Sequence, residues 1–316
     1  MPVVLTPLGT GSAVPTRHRH VSAAALTRES DLLLFDCGEG TQQRLIRADL
    51  RRTRLRAIFI THLHGDHFYG LPGLLSTLGL IGYDKPITIV GPENLQRFLD
   101  QTFSVSGLEL PFEIHHVPIP DSFAGGDVYT ANAFTVRAEP LEHRMFCVGY
   151  RFEEATRPGK VDGVLAQKFG LNHHSQFEAL KRGETIDVAG RHIEPHELVG
   201  PRRPGTSFAY CFDTQPCPGA IALARGADLL YHDATFGDAH THRAAETMHS
   251  TARQAATVAH EAGARKLLLG HFSARYREPD TLVREASEVF PHVEAAEELK
   301  PYEIVPREAF AEDTVA

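Results

Sequence analysis

Residues 61–71 read THLHGDHFYGL and follow directly on the apolar run Ala57, Ile58, Phe59, Ile60. His62, His64, Asp66 and His67 thus stand at i, i+2, i+4 and i+5. On one continuous helix those positions spread well beyond a single face, whereas a strand exit that turns into a helix at Gly65 lets them converge. Imidazole nitrogen and carboxylate oxygen are the ligands that Zn2+ and its first-row neighbours prefer. The stretch therefore predicts a metal centre at the end of a buried strand. Taken singly, each histidine is as well read as a hydrogen-bonded surface residue; packing alone does not call for four such groups together.

Outward from this stretch, strand-like runs alternate with helical ones. VVLTPLG, ALTRESDLLLFDCG, RAIFITH, PITIVG, FEIHHVPI, FTVRAEPLEH, CVGYRFE, SFAYCFDT, DLLYHDATF and KLLLGHF read as strands. GTQQRLIRADL, LPGLLSTLGLIG, ENLQRFLDQTF, PGAIALARGA, HSTARQAATVAHEAG and DTLVREASEVF have helical spacing. The fold class implied is α/β: two sheets flanked outside by helices, a four-layer αββα sandwich, with no internal repeat. Three of the strand runs stop on a further potential ligand, His143, Asp213 and His271. Alone, His143 or Asp213 is more often a capping or turn residue. Residues 153–205 differ from the rest, being polar, broken by Gly and Pro and without a core period. They read as an insertion within a domain spanning 1–316, either a projecting arm or a long loop.

Composition narrows the setting. A chain of 316 residues with 42% hydrophobic content can bury a large core. The four cysteines, Cys37, Cys147, Cys211 and Cys217, show no C-x-x-C spacing, so neither a disulfide framework nor a zinc ribbon is indicated. No signal-like N-terminus and no membrane-length apolar run is present, and a soluble, cytoplasmic protein is expected. The net charge of −8 argues mildly against a polyanion partner, so any RNA must find a local basic surface.

H-x-H-x-D-H after an apolar strand resembles the signature of the metallo-β-lactamase superfamily. That resemblance implies two Zn2+ ions, one held by His62, His64 and His143, the other by Asp66, His67 and His271, with Asp213 bridging. Two ions about 3.5–4 Å apart clamp the attacking and leaving oxygens of an in-line displacement, which is hydrolytic chemistry. Further blocks resemble the ribonuclease Z family, endonucleases that remove 3′ trailers from precursor tRNA. They are LGTGSAVPT at 8–16, FDCGEGTQ at 35–42, HFYGLPGLL at 67–75, HDATF at 232–236, HST at 249–251 and HFSARY at 271–276, in order along nearly the whole chain. The likeness gives Asp66 the general-base role, makes His249 the proton donor to the leaving ribose oxygen, and has Asp233 orient it. The family usually carries glutamate in HEATF, so Asp233 is one methylene short, and a water or a shift of the strand would have to close the gap. Without the family, His249 reads equally as a residue beside a helix cap.

Ser273 and Arg275 are expected to bind phosphate oxygens beside the metals. The loop PTRHRH at 15–20 resembles the family's Pro-x-Lys-x-Arg-Asn segment near the tRNA 3′ end, which makes Arg17 and Arg19 candidate substrate contacts; His20 replaces the asparagine. The run RLIRADLRRTRLR at 44–56 holds six arginines against Asp49 and is the best basic patch, although such a run is more often a solvated face. The insertion matches in position the family's tRNA-gripping arm, but GLNHHSQFEAL at 170–180 stands where a Gly-Pro core is usual. A homodimer, with the arm of one subunit serving the other's site, follows by resemblance. Two other readings stay open: a phosphodiesterase or sulfatase of the same superfamily acting on a small ester, and a zinc-stabilised RNA-binding protein, in which His249 and Asp233 would have no purpose.

Overall fold

The computed structural model describes residues 2–307. The chain runs β1 (Val3–Gly9), β2 (Ala23–Arg28), β3 (Asp31–Phe35), α1 (Thr41–Arg47), β4 (Leu55–Phe59), α2 (Gly65–Phe68), α3 (Leu71–Leu80), β5 (Ile87–Pro92), α4 (Asn94–Ser106) and β6 (Ile114–Ile119). It continues through β7 (Gly126–Ala131), β8 (Phe134–Leu141) and β9 (Cys147–Glu154), then α5 (Gly163–Lys168), α6 (His174–Lys181), β10 (Ile186–Val188), β11 (Arg191–Ile193) and α7 (Pro195–Leu198). The last part comprises β12 (Ser207–Cys211), α8 (Pro218–Ala224), β13 (Leu229–Asp233), α9 (Thr241–Thr247), α10 (Ala252–Glu261), β14 (Leu267–Gly270), α11 (Asp280–Ser287), β15 (Val293–Ala295) and β16 (Tyr302–Ile304). Two compact units result, one running to Glu153 and resuming over Ser207–Val305, the other made by Glu154–Thr206.

The first unit is the expected sandwich. One sheet has the order β16-β1-β2-β3-β4-β5-β6 and the other β15-β14-β13-β12-β9-β8-β7. Between them lies an aromatic core in which Phe35, Phe59, Tyr150, Phe208, Tyr210 and Tyr231 are fully buried. The outer face of the first sheet packs on Leu45, Leu71, Leu75 and Leu99 of α1, α3 and α4, and that of the second on Leu223, Val258 and Leu282 of α8, α10 and α11. Covered on both faces, the inner parallel strands β3 to β5 and β12 to β14 require near-continuous apolar runs. That is why Ala57–Ile60 reads as it does: all four residues have no exposed surface. Strands running parallel also end at the same edge of their sheet, so the residues that follow β3, β4, β12, β13 and β14 collect there.

The second unit corrects the reading of residues 153–205 as lacking a core period. Ala166, Leu171, Leu180, Ile193 and Leu198 form a small core of their own. Its elements are short, α5 six residues and β10 and β11 three each, so no window holds a full period. GLNHHSQFEAL becomes the start of α6, where the Gln176 side chain accepts from the Asn172 and His173 N–H groups at 3.1 Å each. The terse strands β7, β15 and β16 likewise have no matching run in the sequence reading.

Candidate metal centre

The centre forms where β4 ends. The Thr61 N–H donates to Asp36 Oδ1 at 2.8 Å, fixing the strand exit to the residue that follows β3. The chain then turns into α2 at Gly65, where a Cβ would lie 2.3 Å from the exposed Tyr69 ring and would require that ring to move. Asp36, Asp213 and His271, each just after a strand, take positive φ of 57°, 52° and 60°. Side chains at such angles carry strain that the surrounding packing must hold, a pattern concentrated at functional sites.

The predicted ligands converge in two groups. His62, His64, His143 and Asp213 offer donor atoms that all lie within 4.8 Å of one another, and so do Asp66, His67 and His271. Asp213 faces both groups: Oδ2 is 3.5 Å from His62 Nε2 and 3.6 Å from His143 Nε2, while Oδ1 is 3.1 Å from His67 Nε2 and 2.9 Å from His271 Nε2. Four of the five imidazoles have Nδ1 engaged elsewhere. His67 Nδ1–H donates to Asp36 Oδ2 at 2.7 Å, His62 to Thr61 Oγ1 at 3.0 Å, His271 to Thr235 Oγ1 at 2.9 Å and His143 to the Met248 carbonyl at 3.3 Å. The hydroxyls of Thr61 and Thr235 in turn donate to Asp36 and Asp233. These contacts set the tautomer and aim each Nε2 lone pair inward, the usual outer support of a metal-binding histidine. His64 presents Nδ1 instead, 2.9 Å from His62 Nε2 and 3.3 Å from His143 Nε2.

Divalent cations fit these residues on two counts. His67 Nε2, His271 Nε2 and Asp213 Oδ1 are buried and face one another at 3.1 and 2.9 Å, yet form no well-angled hydrogen bond, although such groups are normally satisfied. The donor set, imidazole nitrogen and carboxylate oxygen, is the one that Zn2+ and neighbouring metals take. Electrostatics divides the histidines. Burial, with the neighbouring imidazoles, lowers His62, His64 and His143 below the ordinary value. Burial also opposes charge on His67 and His271, but Asp213 and Asp66 outweigh it, raising His67 well above the usual range and His271 to about 10.

Beside the metal-ligand candidates stands an acid–base pair. His249 Nδ1–H donates to Asp233 Oδ2 at 2.7 Å. The gap expected from the shorter side chain is closed directly, with no water between. Asp233 is fully buried and its other oxygen accepts from Thr235 N–H at 2.8 Å and Thr235 Oγ1–H at 2.7 Å. Burial disfavours charge on His249, yet the charge and hydrogen bond of Asp233 raise its pKa. Asp66 accepts from the Ala13 N–H through Oδ2 at 2.9 Å. A cleft of about 480 Å3 opens onto His64, Asp66, His143, Asp213, His249 and His271.

The expected substrate contacts fare unevenly. Ser273 Oγ accepts from the Arg275 side chain at 3.2 Å, so the two act together, and Arg17 is exposed. Arg19 instead gives its guanidinium to the carbonyls of Tyr276 and Arg277 and stacks on Phe272, which makes it a strap between loops. The basic run at 44–56 is broken: α1 ends at Arg47, a short 3-10 turn takes Arg52–Arg54, and β4 begins at Leu55. Arg44 leaves the patch altogether, buried in an ion pair with Glu298 at 2.6 Å. Asp36, Thr61, Thr235 and Glu298 were missed as contributors. Asp36 and Thr235 lie inside blocks already singled out, FDCGEGTQ and HDATF, and an acidic or hydroxyl residue just after a strand is the signal available; Glu298 has no local signal.

Comparison with known proteins agrees with this geometry. Residues 167–272 match a family model described as the beta-lactamase superfamily domain, and residues 3–111 one described as anti-Pycsar protein Apyc1. The chain is 50% identical to a ribonuclease Z of Salinibacter ruber over 310 residues, covering 98% of this chain and 96% of that protein. A ribonuclease Z of Methanosarcina acetivorans is 39% identical, with 95% and 97% covered. Among solved structures, the short form of human tRNase Z matches with a TM-score of 0.68 and 30% identity, over 96% of this chain and 99% of that one.

Proposed function

Since the chain belongs to the ribonuclease Z family, we propose that it is a metal-dependent endoribonuclease that removes the 3′ trailer of precursor tRNA, leaving a 3′ hydroxyl on the tRNA and a 5′ phosphate on the trailer. The observation that carries the reading is the His249–Asp233 contact of 2.7 Å set at the same cleft as the two ligand groups. A proton donor held beside a metal pair suits a leaving group that departs poorly as an anion, as a ribose oxygen does.

The residues divide the work. His62, His64 and His143 would hold one ion, Asp66, His67 and His271 the other, and Asp213 both; zinc is the metal the donor set favours. Divalent cations there supply Lewis acidity, lowering the pKa of water to about 7 and offsetting phosphate charge. Asp66, oriented by the Ala13 N–H, takes the proton of the attacking water. His249 has Nδ1 committed to Asp233, which leaves Nε2 to protonate the departing oxygen, and the charge and hydrogen bond of Asp233 favour the protonated form. Ser273 and Arg275 bind phosphate oxygens, and Arg17 the RNA end. The unit of residues 154–206 takes the part of the tRNA-binding arm, and the working form is a cytoplasmic homodimer; among the described residues no helix is long and apolar enough to cross a membrane.

Cleavage of a precursor tRNA that releases its 3′ trailer, abolished by chelation and by Asp66→Ala, is the expected result. Fast hydrolysis of a chromogenic diester with no cleavage of precursor tRNA would overturn it in favour of the small-ester reading. A pair of precursors with and without an encoded CCA defines the end preference in the same assay.

A further inference from the structure

Glu298 lies on the connector between β15 and β16 and takes no part in the chemistry above. The connector crosses from one sheet to the other. The Ala296 N–H donates to the Leu269 carbonyl of β14 at 2.8 Å, and the Leu299 N–H to the Pro7 carbonyl of β1 at 2.8 Å. Between these anchors the Glu298 carboxylate is nearly buried. Its Oε1 accepts from Thr10 N–H at 3.1 Å, Thr10 Oγ1–H at 3.3 Å and His20 N–H at 2.7 Å. Its Oε2 pairs with Arg44 Nη2 at 2.6 Å, while Arg44 Nε–H is given to the Leu8 carbonyl at 2.9 Å.

Thr10 and His20 are the two ends of one loop; the Gly11 N–H donates to the His20 carbonyl at 2.8 Å across its base, and the Glu298 carboxylate is the side chain that takes the N–H groups of both ends. Within the loop Ala13 holds φ at 64°, an uncommon and strained angle for a residue with a side chain, and it is there that its N–H reaches Asp66. Arg19 ties the far side of the same loop to Tyr276 and Arg277. Strained backbone persists only where its surroundings over-determine it, and Glu298 supplies the part of that restraint at the loop's base. An apolar pair could fill the same space but could not grip two backbone N–H groups ten residues apart.

We propose that Glu298, held by Arg44, is a positioning residue for the reaction: it closes the base of the Thr10–His20 loop and thereby keeps the Ala13 N–H on Asp66. The inference rests on the general-base role given to Asp66 above. Glu298→Ala removes every acceptor, whereas Glu298→Gln keeps an amide oxygen for Thr10 and His20 but loses the charge and the acceptor facing Arg44, where its NH2 meets the guanidinium donor to donor.

The test uses the full chain loaded with zinc and measures amide hydrogen exchange over residues 10–20, metal content, melting temperature, and kcat and KM on precursor tRNA. In Glu298→Ala, exchange in the loop is expected to speed up about tenfold while β4 and α10 keep their protection. The kcat is expected to fall about tenfold at unchanged metal content, since small misplacements of a catalytic group are costly. Glu298→Gln should lie between this variant and the parent in both readouts. Unchanged exchange in the loop, or a fall in kcat that only tracks lost metal or lost folded protein, would overturn the proposal. Should Glu298→Ala fail to fold, Glu298→Gln and Arg44→Met decide by the same criteria. Exchange needs no substrate, so the loop readout judges Glu298 even if precursor tRNA is not cleaved, an outcome that would count against the function instead.

Discussion

Replacing Asp233 by asparagine tests the proton donation assigned to His249, provided metal content is followed, because Asp233 also supports His271 through the Thr235 hydroxyl. The carboxylate is fully buried and receives donors on both oxygens: His249 Nδ1–H at 2.7 Å and Thr214 N–H at 3.2 Å on Oδ2, and Thr235 N–H at 2.8 Å with Thr235 Oγ1–H at 2.7 Å on Oδ1. An asparagine amide must turn its NH2 toward one set of donors or the other. Facing Oδ1's partners, it meets the Thr235 N–H; facing Oδ2's, it meets the Thr214 N–H and forces His249 into the opposite tautomer. One buried donor is unsatisfied either way, a loss of about 1–3 kcal/mol in stability. The raised pKa of His249 also disappears, because burial remains and the charge that outweighed it is gone. Loss of a positioned general acid lowers kcat by about 10²- to 10⁴-fold, and that range is the expected effect on precursor tRNA. The decisive assay compares this substrate with bis(p-nitrophenyl) phosphate, whose phenol leaves without a proton. Asp233→Asn should slow the RNA by the full amount and the chromogenic diester by less than about tenfold. Equal loss on both substrates at equal metal content would refute the reasoning.

Metal uptake should be linked to protons unequally. At neutral pH His67 and His271 carry protons in the metal-free protein, their pKa values being raised, so ions binding there must displace them and affinity should climb as pH rises toward about 10. His62, His64 and His143 are lowered and already neutral, so their group should bind without proton release; zinc titration calorimetry in buffers of different ionisation enthalpy distinguishes the two. Asp36→Ala removes the acceptor of His67 Nδ1–H and should weaken zinc binding about 10- to 100-fold by competition with a chromogenic chelator. Replacing residues 160–195 by a short Gly-Ser link should weaken precursor tRNA binding while leaving hydrolysis of the small diester within about twofold, because that segment carries its own core. Equal loss of both activities would remove the segment from substrate binding.

Much of the candidate site was legible in the chain, for a definite reason. A parallel strand covered on both faces must be an apolar run, and a polar residue ending such a run is conspicuous; His62, Asp213 and His271 stand out this way, while Asp233 was picked out by the family resemblance of HDATF. The resemblance to the metallo-β-lactamase superfamily then grouped the candidate ligands, and the parallel strands deliver their ends to one edge, where the structure gathers them. The short elements of the second unit left no comparable trace. α5, α6, β10 and β11 are too short to show a period, and their apolar residues meet only once the chain has closed on itself.

Sequence by itself determined the layers, the ligand types and the side of the sheets on which they gather, because burial imposes hydrophobic patterning on every strand and helix. Tertiary structure alone decided which nitrogen each imidazole turns inward, that Asp233 reaches His249, that Arg44 and Arg19 are fastened inside the protein, and that Glu298 grips a loop 288 residues away. Those outcomes depend on distances and angles between residues remote in the chain, which local periodicity does not encode.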